Sequence, residues 1–341
     1  MTIRKYPWAE IERLEKAVLE TDRMQLHKLV EEALPELEMV IGWGESTDPL
    51  QTTPVFIRDA KSISRLALGP FCSQNLAGYL VKPPALFPAA DGAKPIGICV
   101  KGCDSRSLVA LIQEKFISRD KLRIFGIPCR GTVDHRKVAR LVPNFDVRST
   151  TVDGDSLVID DSGTTHRIAL EEVLTRKCLG CRYPNPIIHD VMIGQPVTPR
   201  SSSMETSYRD VDALEKKPIE ERLAFWQSEL DRCIRCYACR NACPLCVCQD
   251  KCIVETREPR WLTQRVGLPE KFLFHFIHAM HLAGRCTGCG ECERVCPMDI
   301  PVTLIKEKLN KIMEEMLGYS AGLDPEAVPP LLTFNPGDAA I

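Results

Sequence analysis

The chain has 341 residues, of which 44% are hydrophobic and 26% charged, and its formal net charge is −2 at pH 7. This length accommodates about two or three domains with buried cores, and a balanced charge without a basic block argues against nucleic acid as a partner. The apolar runs are too short to span a bilayer, and the N-terminal segment lacks the apolar core of a secretory signal. We therefore expect a cytoplasmic protein without a membrane span.

The first part of the chain predicts helices followed by a small α/β domain. Over residues 1–50, IERLEKAVLE and MQLHKLVEEALPELEMVIGW have apolar residues at helical spacing. Over residues 51–195, the runs PVFI, PIGICV and LRIFGI predict strands, and a helix over SRSLVALIQEKF, capped by Asp104 or Ser105, lies between the last two. The order strand, helix, strand predicts a βαβ crossover and therefore a small, mostly parallel sheet.

The rest of the chain predicts a hairpin, a linker, a mainly helical domain and a tail. TVDGDSLVIDDSGTTHRIAL predicts a hairpin that turns at residues 161–163. Residues 196–216 are rich in Pro, Ser and charge without periodicity, which predicts a linker. Residues 217–318 predict a mainly helical domain, because PIEERLAFWQSELDR, REPRWLTQRVGLPEKFLFHFIHAMHLAG and VTLIKEKLNKIMEEMLGY read as helices. The Pro-rich residues 319–341 predict an extended tail, either loose or laid over a partner.

The 17 cysteines call for a metal explanation, because cysteines in a reducing compartment serve metals or catalysis more often than disulfides. The runs CIRCYACRNACP and CTGCGECERVCP share the spacing C-x2-C-x2-C-x3-C-P. In this bacterial ferredoxin pattern three close cysteines hold one 4Fe–4S cubane and the fourth crosses to the other. The spacing predicts cluster one, with ligands Cys233, Cys236, Cys239 and Cys296, and cluster two, with ligands Cys243, Cys286, Cys289 and Cys292. Paired zinc ribbons are the alternative, but they give no reason for the third cysteine of each run.

Shorter motifs in the α/β domain carry further cysteines. Cys103 in KGCDSRS lies between a strand and a helix, Cys129 in GIPCRG follows a strand, and Cys178 and Cys181 form the C-x2-C of KCLGCRYPNP. Neighbouring parallel strands end at the same edge of a sheet, so we expect these four cysteines to hold a third 4Fe–4S cluster. Cys72 in GPFCSQNL is the alternative to Cys103, and a zinc knuckle or ordinary buried cysteines are the alternative to a cluster.

The remaining cysteines and a row of histidines fit no complete motif. Three cysteines with the spacing C-x-C-x3-C are surplus to both cubanes: Cys246, Cys248 and Cys252. They could hold an additional cluster with Cys72 as the fourth ligand, or pack around cluster two. Cys99, in the middle of a predicted strand, is expected to be a core residue. Three histidines recur at every third position of one predicted helix, where packing beside the clusters is favoured over a metal or proton-relay role: His275, His278 and His281.

Through KGCDSRS, GIPCRG and KCLGCRYPNP, residues 50–195 resemble the beta subunits of deazaflavin-coenzyme-reducing hydrogenases and formate dehydrogenases. The two cysteine runs and the long helical segment between them make residues 217 to 315 similar to the helical ferredoxin domains of heterodisulfide reductase and succinate dehydrogenase iron–sulfur subunits. The resemblance implies an iron–sulfur subunit, often one that binds flavin, and places Cys129, Cys178 and Cys181 at cluster positions. The family's glycine-rich phosphate-binding loops are missing, and the nearest stretch, VKGCDSRS, has one glycine.

Three classes of function follow from these motifs. The leading hypothesis is an electron-transfer subunit of a multi-subunit anaerobic oxidoreductase, which relays single electrons through 4Fe–4S clusters between partner redox subunits and has no catalytic residue of its own. Its partner could be a hydrogenase, a formate dehydrogenase, a heterodisulfide-reductase-like protein or a methylenetetrahydrofolate reductase. The alternative is a subunit with bound FAD that interconverts hydride and single electrons, which bound flavin would reveal. A zinc-stabilised scaffold is the third hypothesis, and iron with acid-labile sulfide would exclude it.

Overall fold

The structure is a computed structural model that describes residues 8–81, 93–142, 147–161, 163–248, 252–254, 263 and 265–333. Within these ranges no helix is long and apolar enough to cross a lipid bilayer. The strands are β1 (Met39–Glu45), β2 (Thr52–Ile57), β3 (Ile96–Val100), β4 (Leu122–Gly126), β5 (Val147–Asp153), β6 (Ser156–Asp161), β7 (Thr164–Ala169) and β8 (Val191–Met192). The α-helices are α1 (Trp8–Ala33), α2 (Gly78–Val81), α3 (Gly102–Gln113), α4 (His135–Leu141), α5 (Leu170–Val173), α6 (Arg176–Leu179), α7 (Met204–Ser207), α8 (Arg209–Glu215), α9 (Ile219–Asp231), α10 (Ala238–Ala242), α11 (Leu268–Met280), α12 (Glu291–Arg294) and α13 (Val302–Leu317).

A five-stranded sheet of order β2-β1-β3-β4-β8 forms the centre of the N-terminal half. β1 pairs antiparallel with β2, and the other neighbouring strands are parallel. β3, α3 and β4 form the expected strand–helix–strand unit. Every residue of β3 is buried, as expected for a strand of a parallel sheet that is covered on both faces. The predicted fold class, an α/β domain with a mostly parallel sheet followed by a mainly helical region, is confirmed.

The N-terminal helix ends before the position that the sequence predicted. MVIGW was expected to be helical, but it forms β1, in which Met39 to Gly44 are all buried. A continuous buried run of this length is typical of a central strand. The apolar residues with helical spacing lie in the preceding α1. Gly44 allows a close approach in this strand, because a Cβ there would collide with the Val55 side chain of β2.

The N-terminus of α3 also differs from the prediction, because neither Asp104 nor Ser105 is its N-cap. The N-cap is Lys101, and the Asp104 carboxylate accepts a hydrogen bond from the Lys101 backbone N–H at 3.0 Å. Asp104 therefore reaches back from the first turn as the second half of a capping box. Its carboxylate also pairs with the Lys101 ammonium at 2.8 Å.

A second sheet contains the predicted hairpin. β6 and β7 pair antiparallel, with Asp161 opposite Thr164 at the turn, and β5 adds a third strand that the sequence did not indicate. Leu157 and Ile159 point from β6 into a small core that also contains Leu170 of α5. Because β6 alternates between buried and partly exposed residues, only one face of this sheet packs against a core.

Helices α9, α11 and α13 lie in the three stretches predicted to be helical around the cysteine runs, but α11 begins only at Leu268, and residues 257–262 and 264 of its predicted stretch lie outside the described ranges. The segment expected to be an irregular linker, residues 196–216, contains α7 and α8. Tyr208 and Val211 in this segment pack against Leu304 of α13. The segment therefore lies against the helical region, because its few apolar side chains are spaced to face a neighbouring helix.

The Pro-rich tail lies over this chain rather than being loose. The Arg106 guanidinium on α3 donates to the Ala321 carbonyl oxygen from Nε at 3.1 Å and from Nη2 at 2.7 Å. Gln113 at the end of α3 donates to the carbonyl oxygens of Asp324 at 2.6 Å and Ala327 at 2.9 Å. The described part of the tail, up to residue 333, therefore covers α3, and residues 334–341 lie outside the described ranges.

The stability of the central sheet provides a first prediction. Ile98 is fully buried in the middle of β3, so Ile98→Ala is expected to lower the free energy of unfolding by about 2–5 kcal/mol through lost burial and the resulting cavity. Urea-induced unfolding followed by circular dichroism measures the change. The control Ile219→Ala removes the same atoms from a position that is 66% exposed, and its effect should stay within about 0.5 kcal/mol. Equal effects of the two substitutions would contradict the described core.

Candidate iron–sulfur centre

The two cysteine runs fold into loops of the same shape. In the first run, Arg235 and Tyr237 on either side of the second cysteine have φ angles of 51° and 60°. In the second run, Gly288 and Gly290 occupy the equivalent positions with φ angles of 66° and 71°. Left-handed backbone is uncommon for bulky residues and has a conformational cost. The first loop is nevertheless held in this shape, so the repeat in the sequence is also a repeat in the backbone.

At Cys129 and Cys233, the backbone N–H two residues further along the chain donates to the thiol sulfur. The N···S distance is 3.4 Å from Gly131 N to Cys129 Sγ and 3.4 Å from Arg235 N to Cys233 Sγ. These hydrogen bonds place partial positive charge beside the sulfur and so favour a thiolate. The backbone N–H at the same relative position also acts to lower the pKa of four further thiols, so that its effect recurs in all three groups of cysteines: Cys181, Cys243, Cys286 and Cys289.

The thiols predicted for cluster one lie near one another. Burial raises the pKa of Cys233, and the neighbouring thiols of Cys296 and Cys236 add to this effect. Burial also raises the pKa of Cys239 to about 12, and Cys233 and Cys296 are among the thiols beside it. His275 Nε2 lies 3.3 Å from Cys233 Sγ, and burial lowers the pKa of this imidazole to about 4. His275 therefore packs against the group as a neutral side chain.

The thiols predicted for cluster two form a second group. Burial raises the pKa of Cys286 to about 11, and the thiols of Cys243 and Cys292 beside it raise it further. Burial also raises the pKa of Cys289, and the neighbouring Cys243 thiol raises it further. Cys243 belongs to the first run and the other three belong to the second. The structure thus brings the fourth cysteine of one run to the first three of the other.

A third group lies where the strands of the parallel sheet end. Burial raises the pKa of Cys103 to about 12, with the Cys178 thiol as a neighbour. Burial raises the pKa of Cys129 as well, and the thiols of Cys178 and Cys103 contribute. Cys181 also has Cys178 beside it, and Cys178 Sγ accepts a hydrogen bond from Thr175 Oγ1 at 3.1 Å. The structure therefore brings all four predicted cysteines together.

Two of the cysteines considered for an additional cluster, Cys72 and Cys252, lie in different cores. Cys72, the alternative to Cys103, is buried in the core of the five-stranded sheet, where Cys99 is its neighbouring thiol. Cys252 is buried in the core of the helical region, together with Cys233. Cys246 packs against the sheet core and Cys248 is exposed. Cys72 and Cys252 thus belong to different cores, and Cys99 is the core residue that its strand position predicted.

Burial keeps these thiols protonated unless a positive charge stabilises their thiolates. A buried thiol whose pKa is raised is protonated at neutral pH, whereas a bound metal supplies the positive charge that stabilises its thiolate. Iron–sulfur cubanes are held by four such thiolates. Among the described residues, no three Cys, His, Asp or Glu side chains converge as ligands of a single metal ion. That arrangement is tighter than the one around a four-iron cubane, whose corner irons are each bound by one thiolate.

Lysines that are buried or partly buried lie beside the groups of thiols. Lys101 is 3% exposed next to the third group and is paired with Asp104. The Lys177 ammonium donates to the Cys289 carbonyl oxygen, with the third group on its other side. Lys306 is 2% exposed next to the second group, and among the described residues its Nζ has no hydrogen-bond partner. A buried ammonium requires compensating negative charge, so these side chains fit anionic iron–sulfur clusters.

No motif in the sequence marks these lysines as neighbours of the thiols. Lys177 directly precedes Cys178 in RKCLGC. Its place next to a predicted ligand motif is a signal that could have identified it. Lys306 lies one helical turn after the buried Val302, so a search for charged residues on the apolar face of α13 would have found it. Neither signal is specific, because lysines on helices are usually exposed.

A cavity of about 730 Å³ opens beside the third group of thiols. Its walls include the segments KGCDSRS and GIPCRG at the C-terminal ends of β3 and β4, the edge at which open α/β sheets bind ligands. Its volume lies within the ~300–1,000 Å³ of small-molecule sites. Part of the wall comes from residues 195–200, of which 196–200 belong to the segment predicted to be a linker. Six cationic side chains contribute to the lining: Lys101, Arg106, Arg130, Lys177, Arg182 and Arg200.

Comparison with known proteins matches residues 229–300 to the 4Fe-4S dicluster domain. The chain is 24% identical over 351 residues to the F420-dependent formate dehydrogenase subunit beta of Methanocaldococcus jannaschii, with 87% of this chain and 90% of that protein covered. It is also 24% identical over 355 residues to the F420-dependent formate dehydrogenase 1 subunit beta of Methanococcus maripaludis, with 86% and 88% covered. The resemblance to these beta subunits, inferred from the cysteine motifs, is confirmed, and the chain carries a 4Fe–4S dicluster domain.

Two further similarities are partial. A match of 29% identity over 116 residues joins 33% of this chain to 12% of the acetyl-CoA decarbonylase/synthase complex subunit alpha 1 of Methanosarcina acetivorans. A chain of the F420-reducing NiFe hydrogenase complex from Methanosarcina barkeri is similar at 16% identity, with 49% of this chain and 62% of that chain covered. Its TM-score of 0.35 is too low to bear on the fold.

Proposed function

We propose that this chain is an iron–sulfur subunit of a cytoplasmic oxidoreductase complex, in which three 4Fe–4S clusters pass single electrons between partner redox subunits. The observation that carries the proposal is that twelve cysteines with the predicted spacings gather in three groups of neighbouring thiols, with backbone N–H groups acting on sulfurs of every group. The similarity to beta subunits of F420-dependent formate dehydrogenases supports a catalytic partner that handles formate. The ligands are Cys233, Cys236, Cys239 and Cys296 for cluster one; Cys243, Cys286, Cys289 and Cys292 for cluster two; and Cys103, Cys129, Cys178 and Cys181 for cluster three.

The order of the relay follows from contacts between the groups. The Lys177 side chain spans the space between cluster three and the Cys289 segment of cluster two. Cys239 of cluster one has Cys292 of cluster two beside it. Cluster two therefore lies between the other two, and electrons pass in the order three, two, one or the reverse. A bound cubane takes up or releases one electron while its thiolate ligands stay in place, so the chain itself needs no acid or base for this step.

The domain organisation fits the same relay. The α/β domain over residues 51–195 carries cluster three, and the domain over residues 217–318 carries clusters one and two. The two are joined by more than the intervening segment, since Ser107 of α3 lies 3.0 Å from Thr287 in the second cysteine run, hydroxyl to hydroxyl. The bidentate pairing of Arg285 with Glu114 adds a second link. We expect these contacts to hold clusters two and three at a fixed separation.

Counting iron and acid-labile sulfide in the anaerobically purified complex tests the proposal. About twelve irons and twelve sulfides per chain are expected, and Cys129→Ser should leave about eight of each, because one cubane loses a ligand. Cys99→Ala is the matched control, since it removes a buried thiol that the proposal gives no role, and it should retain about twelve. Eight irons in the unaltered chain would contradict cluster three, and zinc without sulfide would contradict the whole proposal.

A second candidate function is a subunit that also binds FAD, and the 730 Å³ cavity beside cluster three favours it. Its cationic lining suits the pyrophosphate of a dinucleotide, although the chain lacks a glycine-rich loop. A bound flavin converts a hydride into two single electrons, and the neighbouring cluster three would receive them. We expect about one FAD per chain in the purified complex, reduced by the deazaflavin carrier before the clusters are. A complex with full iron content and no flavin would leave the relay as its function.

A further inference from the structure

Lys306 is unlike the other lysines buried near the clusters. The ammonium of Lys101 pairs with Asp104, that of Lys177 donates to a backbone carbonyl, and that of Lys271 donates to the Asp231 carbonyl oxygen. Lys306 is 2% exposed on α13, and among the described residues no acceptor lies within hydrogen-bond distance of its Nζ. A cation in this position has no compensating charge from the protein groups that the structure describes.

The neighbours of Lys306 are thiols of both proposed clusters. Three of them belong to cluster two and one to cluster one: Cys292, Cys243, Cys286 and Cys239. The Thr303 hydroxyl on the same helix lies 3.8 Å from Cys292 Sγ. The buried start of α13 therefore faces the pair of clusters. The Arg285 guanidinium also lies near the Cys243 thiol, but it pairs with the Glu114 carboxylate. Four thiolates around a cubane would provide the negative charge that a buried ammonium requires.

We propose that Lys306 tunes the reduction potentials of the relay. Its fixed positive charge raises the reduction potential of cluster two and, to a smaller extent, that of cluster one. The inference rests on the proposed function, because it requires both clusters. Reduction adds one electron to a cubane and breaks no bond, so the cluster becomes more negative by one charge. An adjacent cation stabilises the reduced form more than the oxidised form, and net charge around a cluster is one of the factors that set its potential.

The position of Lys306 makes its effect on the reduction potential unequal for the two clusters. Three of the four neighbouring thiols belong to cluster two, so the stabilisation is larger there than at cluster one. An electron that enters from cluster three is held at the central cluster before it moves on. Removal of the charge should lower the potential of cluster two and slow reduction of this cluster, without changing the ligands of either cubane.

Redox titration of the cluster-loaded chain in its complex, followed by EPR, tests this inference. Lys306→Gln is expected to lower the equilibrium constant for reduction of cluster two at least tenfold, which corresponds to about 59 mV for one electron. The shift at cluster one should be smaller, and Lys306→Arg, which keeps the charge, should restore the potential. Lys308→Gln removes a charge from the same helix, but from a side chain that is 39% exposed and paired with Glu215, so it should shift neither cluster.

The outcomes separate the inference from the proposed function. Unchanged potentials in a Lys306→Gln chain with full iron content would overturn the role of Lys306 and leave the relay intact. Absence of cubanes from the unaltered chain would instead remove the proposed function. If Lys306→Gln does not assemble, pulsed EPR of the unaltered chain labelled with 15N-lysine decides the matter. A 15N coupling to reduced cluster two, absent from labelled Lys306→Arg, supports the inference, and no coupling in the unaltered chain contradicts it.

Discussion

Replacing Cys243 with serine is expected to abolish the same cluster as replacing Cys286, although Cys243 belongs to the other cysteine run. In the structure the Cys243 thiol is a neighbour of Cys286 and Cys289. Cys292 of the second run is also among the thiols beside Cys243. Each substitution should lower the iron content from about twelve to about eight per chain and remove one and the same EPR signal of a reduced cubane.

The second half of this prediction concerns the reciprocal ligand. Cys296→Ser and Cys233→Ser should both remove the other cubane signal and leave the first unchanged, because the Cys296 thiol lies beside Cys233. Cys246→Ser is the matched control for Cys243→Ser, since Cys246 is a neighbouring cysteine of the same segment without a place in either cubane. Loss of the Cys233 signal from the Cys243→Ser chain would show that the runs do not cross.

The shape of the cysteine loops was predictable from the sequence, because spacing alone determines it. Two residues between successive ligands leave few backbone paths around a cluster, and both runs adopt the same one even where Arg235 and Tyr237 must accept positive φ angles. The helices α9, α11 and α13 were predictable for a similar reason, since their apolar period is local. The βαβ unit followed from the order of its elements and from the fully buried sequence of β3.

The features that the sequence did not predict depend on long-range packing. MVIGW continues the apolar pattern of α1, and only its place between β2 and β3 makes it a strand. Lys306 resembles any exposed lysine of a helix until the thiols of two runs enclose it. The cavity requires residues 195–200 to lie opposite the strand ends of the sheet, which no local pattern in those residues indicates. The spacing of the cysteines predicted which thiols become neighbours, whereas no local pattern marked the cations or the cavity walls.

Replacing Gly102 with alanine is expected to remove cluster three while leaving clusters one and two. Gly102 is the first residue of α3, and a Cβ at this position would collide with the Tyr183 carbonyl oxygen and lie 3.0 Å from the Asn185 carbonyl oxygen. The loop after Cys181 must therefore move. That loop also accepts the hydrogen bond from Cys129 N to the Pro184 carbonyl oxygen at 3.0 Å, so its displacement separates the ligands of cluster three from each other.

The Gly102→Ala chain should retain about eight irons of about twelve, keep both dicluster EPR signals and lose bound FAD if the cavity holds one. Gly78→Ala is the control, because a Cβ there meets its nearest atom, Pro244 Cα, at an ordinary contact distance of 3.7 Å. It should retain all the iron. The comparison also separates cluster three from general instability, since a chain that merely unfolds would lose the iron of all three clusters together. Twelve irons in Gly102→Ala would mean that the loop carrying Cys181 does not hold a ligand of cluster three.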